Sequence, residues 1–131
     1  MKTVIAGVRQ VKVPGGEPRE LYFHEVVYIL ACLNDYHKRY PITEVVSGAA
    51  RGVDKLGEIW ALRHRIPVKQ FLPNYKVGGR GAPLIRNRAM GEYADRLIAF
   101  WDDCSTGTKH MIEVMENLDK PKTIWRLDYF S

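Results

Sequence analysis

Five short runs of β-branched and aliphatic residues, separated by longer segments of helical periodicity, constrain this chain more than any other feature. The runs are residues 2–7, 43–47, 67–72, 95–101 and 122–127. Each is too short for a stable helix and rich in Val, Ile, Phe or Trp, so each reads as a strand. Between them apolar residues recur at intervals of three and four. Tyr22, Val26, Ile29, Leu30 and Leu33 do so in a helix over about 19–40, which Pro41 closes. Leu56, Ile59, Trp60 and the stem of Arg63 mark the inner face of a second helix over about 52–65. A third, over about 83–93, opens on a proline, whose missing N–H costs nothing there. Met111, Val114, Met115 and Leu118 mark the inner face of a fourth over about 107–117.

Strands alternating with helices predict an α/β fold: a Rossmann-like parallel sheet of about five strands with helices on both faces. With 131 residues and no repeat or low-complexity linker, the chain is expected to form one domain over 1–131. Residues 8–18, with Pro14-Gly15-Gly16, and the basic, glycine-rich stretch 73–82 read as loops. Ligands of such sheets bind beyond the carboxyl ends of the strands, where the strand order reverses. The loops after Gly7, Ser47, Leu72 and Trp101 are therefore the ones that matter.

Three of those loops place small residues beside a basic or hydroxyl group just before a helix. In Ser47-Gly48-Ala49-Ala50-Arg51-Gly52-Val53-Asp54 the small residues let backbone approach a ligand, and the following helix start offers free N–H groups and a positive dipole end. That suits a phosphate. The same residues also suit a tight turn with positive φ at Gly48 and Gly52 and Asp54 as a capping carboxylate. Asp102-Asp103-Cys104-Ser105-Thr106-Gly107-Thr108 supplies hydroxyls and a glycine, and reads either as an N-cap or as a second anion site. If the strands feeding these loops are neighbours, two helix starts converge on one space. In the third loop, Arg86 and Met90 share a helix face, and Arg86 with Asn87 is expected to reach the ligand while Arg88 faces solvent. Gly7-Val8-Arg9 adds a further arginine. Trp101 or Tyr75 is positioned to stack on a base, whereas Trp60 and Trp125 read as core.

The net charge of +5 favours an anionic partner without choosing one. Cys32 reads as core and Cys104 as a loop thiol. The four histidines show no metal-ligand spacing, so neither a metal nor a cofactor is expected. His110 is the one imidazole beside the expected pocket. No apolar run approaches the roughly 20 residues that cross a bilayer, and the first run is too short for a signal-peptide core, so no membrane partner and a cytoplasmic location are expected. Tyr22, Phe23 and Tyr28 are candidates for a homodimer face.

Val4-Ile5-Ala6-Gly7-Val8-Arg9, Ser47–Asp54, Ile85-Arg86-Asn87-Arg88-Ala89-Met90 and Ala99–Thr108 come in an order and spacing that resembles the YspA-type, cpYpsA-related branch of the SLOG superfamily. The superfamily also holds the Lonely guy phosphoribohydrolases and the DNA-processing protein A group, and its members often occur in bacteria and their phages. The resemblance implies a Rossmann-like domain that binds nucleotides or nucleotide-derived, ADP-ribose-like signals. Loop chemistry and the resemblance together give Gly7, Val8, Arg9, Ser47, Gly48, Ala49, Arg51, Gly52, Asp54, Arg86, Asn87, Trp101, Ser105, Thr106, Gly107 and Thr108 as the expected ligand contacts. Two departures stand out. Relatives usually carry serine where this chain has Val8. Lonely guy enzymes place a glutamate three residues after a Gly-Thr pair, and here that position is Met111. Glu113 lies roughly 200° further around the helix, and a thioether is neither acid nor base.

Three functions follow. The first is a sensor, carrier or sequestering protein for a nucleotide-like small molecule. The second is a hydrolase of a nucleotide N-glycosidic or phosphate bond, with Arg86, Asp54 and Asp102 as catalytic candidates and Asp103 or His110 in reserve. The third is a single-strand nucleic-acid binder, disfavoured because the basic residues form no continuous stripe.

Overall fold

The structure, a computed structural model, describes residues 1–13 and 15–127. Pro14 of the first loop lies outside them. Five strands, β1 (Lys2–Gly7), β2 (Glu44–Ser47), β3 (Val68–Gln70), β4 (Arg96–Trp101) and β5 (Lys122–Arg126), pair in parallel in the order β3-β2-β1-β4-β5. The expected Rossmann-like α/β fold is the fold observed.

Side-chain alternation sorts the core into two layers. Ile5, Val45, Ile98 and Phe100 meet Ile29 and Leu33 of α1 (Phe23–Arg39) and Trp60 and Ala61 of α2 (Val53–Arg63). On the opposite face Val4, Ala6, Val46, Leu97 and Ala99 meet Met90 of α4 (Ala82–Tyr93) and Met111, Ile112 and Met115 of α5 (Thr106–Asn117). The central strands are covered on both faces, which is why β1 and β4 read as unbroken apolar runs. The edge strands differ: β3 is exposed at all three residues, and β5 alternates between exposed and half-buried.

Several boundaries shift for local reasons. Helix α1 begins at Phe23, not near 19, because Arg19 forms an antiparallel bridge with Val11 and Glu25 accepts the Tyr22 N–H at 2.8 Å. Tyr22 is accordingly half-exposed beneath the Arg19 guanidinium, 3.6 Å from its ring centre. Phe23 is 82% exposed. Ile59, Arg63 and Leu118, expected inside, lie at the surface. Strand β3 is half the expected length: at its start Pro67 pairs only through its carbonyl, which accepts the Val45 N–H at 2.9 Å, and at its end the strand stops at Gln70. Residues 73–82 are not a plain loop: Tyr75–Gly78 form a short helix, α3, followed by a 3₁₀ turn at Gly79–Gly81. Trp60 is buried, and Trp125 is half-buried and stacked on Phe100 at 5.3 Å. Among the described residues no helix is long and apolar enough to cross a membrane.

The corner that sets α2 on the sheet depends on Gly52, at φ 76° and ψ −127°. Its backbone passes so close to the loop after β1 that an added Cβ would lie 2.3 Å from the Val8 carbonyl oxygen, the same oxygen that accepts the Val53 N–H at 3.1 Å. Gly52→Ala therefore combines a strained backbone with a backbone clash. It is expected to lower the unfolding free energy by about 2–4 kcal/mol in urea titration. A loss under about 0.5 kcal/mol would mean that this corner is not as tight as described.

Candidate functional site

The chain leaves β1 toward the α1–α2 layer and leaves β4 toward the α4–α5 layer, so the two loops part at the carboxyl edge of the sheet. Between them lies a cavity of about 600 Å³, inside the roughly 300–1,000 Å³ range of small-molecule sites. Ala6 and Gly7 line it from β1, Ala50, Arg51 and Asp54 from the turn into α2, and Arg86, Asn87 and Met90 from α4. Ser105, Thr106, Gly107, Thr108 and Met111 line it from the start of α5. Strands β2 and β4 are not neighbours, since β1 lies between them. Their loops nevertheless border one space, because the cavity opens above β1.

Among the described residues Arg9, Lys12, Arg51, Arg80 and Arg86 line the cavity against one carboxylate, Asp54. Two of these cations arrive through structure that the sequence pattern did not reveal. The Val11–Arg19 bridge folds the loop after β1 back on itself and brings Gln10, Lys12 and Pro18 to the rim. The 3₁₀ turn brings Arg80.

The α5 start is a ready donor array. Asp102 Oδ1 accepts the N–H groups of Cys104 (2.9 Å) and Ser105 (2.8 Å), fixing the turn that launches the helix. Burial pushes the Asp102 carboxyl up, but those N–H groups outweigh it and hold the pKa below its ordinary value. The next three N–H groups, of Thr106, Gly107 and Thr108, meet no acceptor among the described residues. They are free for an anion, with the dipole of a 12-residue helix behind them.

Arg86 is held from two sides. Its Nε donates to Asn87 Oδ1 at 3.0 Å, and its Nη1 donates to the Gly48 carbonyl at 2.7 Å. Burial lowers its pKa, the Asp54 charge raises it, and Arg9 lowers it again. Asp54 and Arg86 form no ion pair, but both press on Gly48. A Cβ there would lie 2.8 Å from Arg86 Nη1 and 3.0 Å from Asp54 Oδ2. Glycine at this position thus serves close approach and not the expected positive φ, which falls on Ala49 (60°) and Gly52. Asn87 is buried, and its amide nitrogen donates to the Gly107 carbonyl (3.4 Å) and toward His110 Nδ1 (3.1 Å). Arg88 faces solvent.

Other expected contacts lie elsewhere. Val8 is fully buried in the α1–α2 core. The Ser47 hydroxyl donates to Glu58 at 2.6 Å and accepts the Ala49 N–H. Gly48, Ala49 and Gly52 form the turn but do not line the cavity. Trp101 packs on the α4–α5 layer and spends its indole N–H on the Ser105 carbonyl at 3.0 Å, and Tyr75 is 60% exposed, so neither ring lines the cavity. Asp102 and Asp103 are also off its wall, and Asp103 pairs with Arg126. Met111 does line it, while Glu113 faces solvent. Among the described residues no group of three or more His, Cys, Asp or Glu side chains is placed to hold a metal ion.

Burial drives the Asp54 carboxyl up to about 6, against the Ala50 N–H, Arg86 and Arg9. A folded pKa above the ordinary 3.8 means that the native state holds the extra proton between about pH 4 and 6. The charge therefore costs stability above that window, by up to ~3 kcal/mol at pH 7, and nothing below it. Asp54→Asn should raise the stability of the unliganded protein by about 1–3 kcal/mol in urea melts at pH 7.5 and leave it equal to wild type near pH 4. A less stable variant at pH 7.5 would show that the carboxylate earns its place structurally.

The model of the YspA, cpYpsA-related SLOG family matches residues 2–78, from β1 through α3. No solved structure matches the chain at a significant level. Arg86 and the α5 turn lie beyond the matched span, but the matched span holds the central strand, the Gly48–Asp54 turn and most of the sheet that positions them. The chain belongs to the YspA, cpYpsA-related SLOG family.

Proposed function

We propose that this protein binds a phosphate-bearing nucleotide or nucleotide-derived small molecule and acts as its sensor, carrier or sequestering protein, with the whole chain working as one binding unit. The observation that carries this reading is the meeting of three free N–H groups at the start of α5 with the restrained guanidinium of Arg86 across one cavity. Anionic oxygens satisfy both at once: backbone donors and a helix dipole on one side, a charge-assisted donor on the other. The surplus of basic side chains on the wall favours an anion over a neutral guest. Family membership is consistent with nucleotide-related binding. The base rests in this reading against the aliphatic lining of Pro83, Leu84 and Met90.

A second reading, hydrolysis of the bound nucleotide, is favoured by Asp54. Its carboxyl, at about 6, has a pKa suited to exchanging a proton near neutral pH, and it shares the cavity with Arg86. Met111 weighs against the chemistry of the Lonely guy relatives, since no acid or base stands at that position.

Mass spectrometry of small molecules released by denaturing the purified protein should yield a phosphate-bearing nucleotide. Arg86→Ala should weaken its binding by about 10- to 100-fold, the value of a charge-assisted hydrogen bond. Wild-type protein that neither retains nor takes up such a molecule would refute the binding reading. Incubation with nucleoside monophosphates, NAD and ADP-ribose separates the readings: product formation that Asp54→Asn abolishes supports an enzyme, and intact substrate supports a binder.

A further inference from the structure

We propose that His110, which does not line the cavity, is a positioning residue that sets the anion-gripping pose of Arg86 by acting through Asn87; the proposal rests on the ligand reading above. The hydrogen-bond chain runs from His110 Nδ1 through the Asn87 amide to Arg86 Nε, and from Arg86 Nη1 to the Gly48 carbonyl.

The direction of every bond in that chain is forced. An arginine has only donors, so the Asn87 atom facing Arg86 Nε must be the amide oxygen. The amide nitrogen then faces the remaining two partners. One is the Gly107 carbonyl, which only accepts. The other is His110 Nδ1, which must therefore present its lone pair and keep its proton on Nε2. Burial and the nearby charge of Arg88 lower the imidazole pKa, with Glu113 opposing, and so favour that neutral form. If His110 offers no acceptor, one amide hydrogen of the buried Asn87 loses its partner, and only the long 3.4 Å bond to the Gly107 carbonyl still holds the amide with its oxygen toward Arg86. Once that bond gives way, Arg86 keeps only its tie to Gly48. Asn87 thus carries the state of an α5 side chain to a cavity-lining guanidinium, although His110 never meets the guest.

The decisive substitutions differ in acceptor, not in size. His110→Asn restores an acceptor at the Nδ1 position. His110→Lys has donors only, yet brings positive charge nearer the anion site, so simple electrostatics and the proposed network predict opposite signs. His110→Leu lacks both charge and acceptor, and reads the same loss should the lysine variant not fold. Hydrogen exchange of the Arg86 Nε–H, identified by NMR through its loss in Arg86→Lys, reports the network in unliganded protein. Exchange should be slow in wild type and His110→Asn and fast in His110→Lys and His110→Leu. Calorimetric titration with ADP should give binding weakened about fivefold by Lys and Leu and within about twofold of wild type for Asn, and no weakening by any of the three in an Arg86→Ala background. Equal protection of the Nε–H in all four proteins, or equal loss in the Asn and Lys variants, overturns the proposal. Wild-type protein that binds neither ADP nor pyrophosphate would remove the ligand reading, while the exchange measurement still decides the network.

Discussion

Strand β1 has both of its edges occupied, by β2 and by β4, and its two neighbours send the chain to opposite faces of the sheet. The rest of the molecule follows from this constraint. Backbone pairing fixes Gly7 opposite Phe100, so the loops after β1 and β4 start side by side and then must separate. The gap between them cannot be closed by either layer of helices. What fills its rim is local: a turn pinned by Asp102, a corner pinned by Gly52, and a guanidinium pinned by Asn87 and Gly48.

These pins carry an energetic imbalance. Asp54 is buried with its carboxyl raised to about 6, and the neighbouring Arg86 is pushed down by burial without gaining an ion pair. Three N–H groups at the start of α5 meet no acceptor among the described residues. A fold selected for stability alone would have neutralised these groups or paired them. An anionic guest offsets them together, because it supplies acceptors to the free donors and a counter-charge to the arginine.

The strand pattern carried the architecture, because buried parallel strands and amphipathic helices leave distinct periods in a sequence. The positions of Gly7, Arg9, Arg51, Asp54, Arg86, Asn87 and Ser105–Thr108 were legible as loop chemistry at strand ends, and each reaches the cavity wall. Val8 was not, because a residue one past the strand can still be core, and its aliphatic side chain was the signal. Trp101 was not, because alternation turned its ring onto the α4–α5 layer, where the Ser105 carbonyl just before α5 takes its N–H. Ser47 was absorbed by Glu58, eleven residues on, a pairing that needs the α2 turn to be seen. Lys12 was hidden in a segment with no period, where a long-range bridge places it, whereas Arg80 stood in the basic stretch after Leu72 and a 3₁₀ turn carries it to the wall. Met90 was visible as the face-mate of Arg86, four residues on.

A phosphate-bearing guest held as proposed docks its negative charge at the first turn of α5. Backbone amide NMR during titration with ADP reads this site by site. The largest downfield shifts should fall on the N–H groups of Gly107 and Thr108, with smaller changes around Ala50 and Arg51. Shifts confined to exposed basic side chains on other faces, with Gly107 and Thr108 unmoved at saturation, would contradict it.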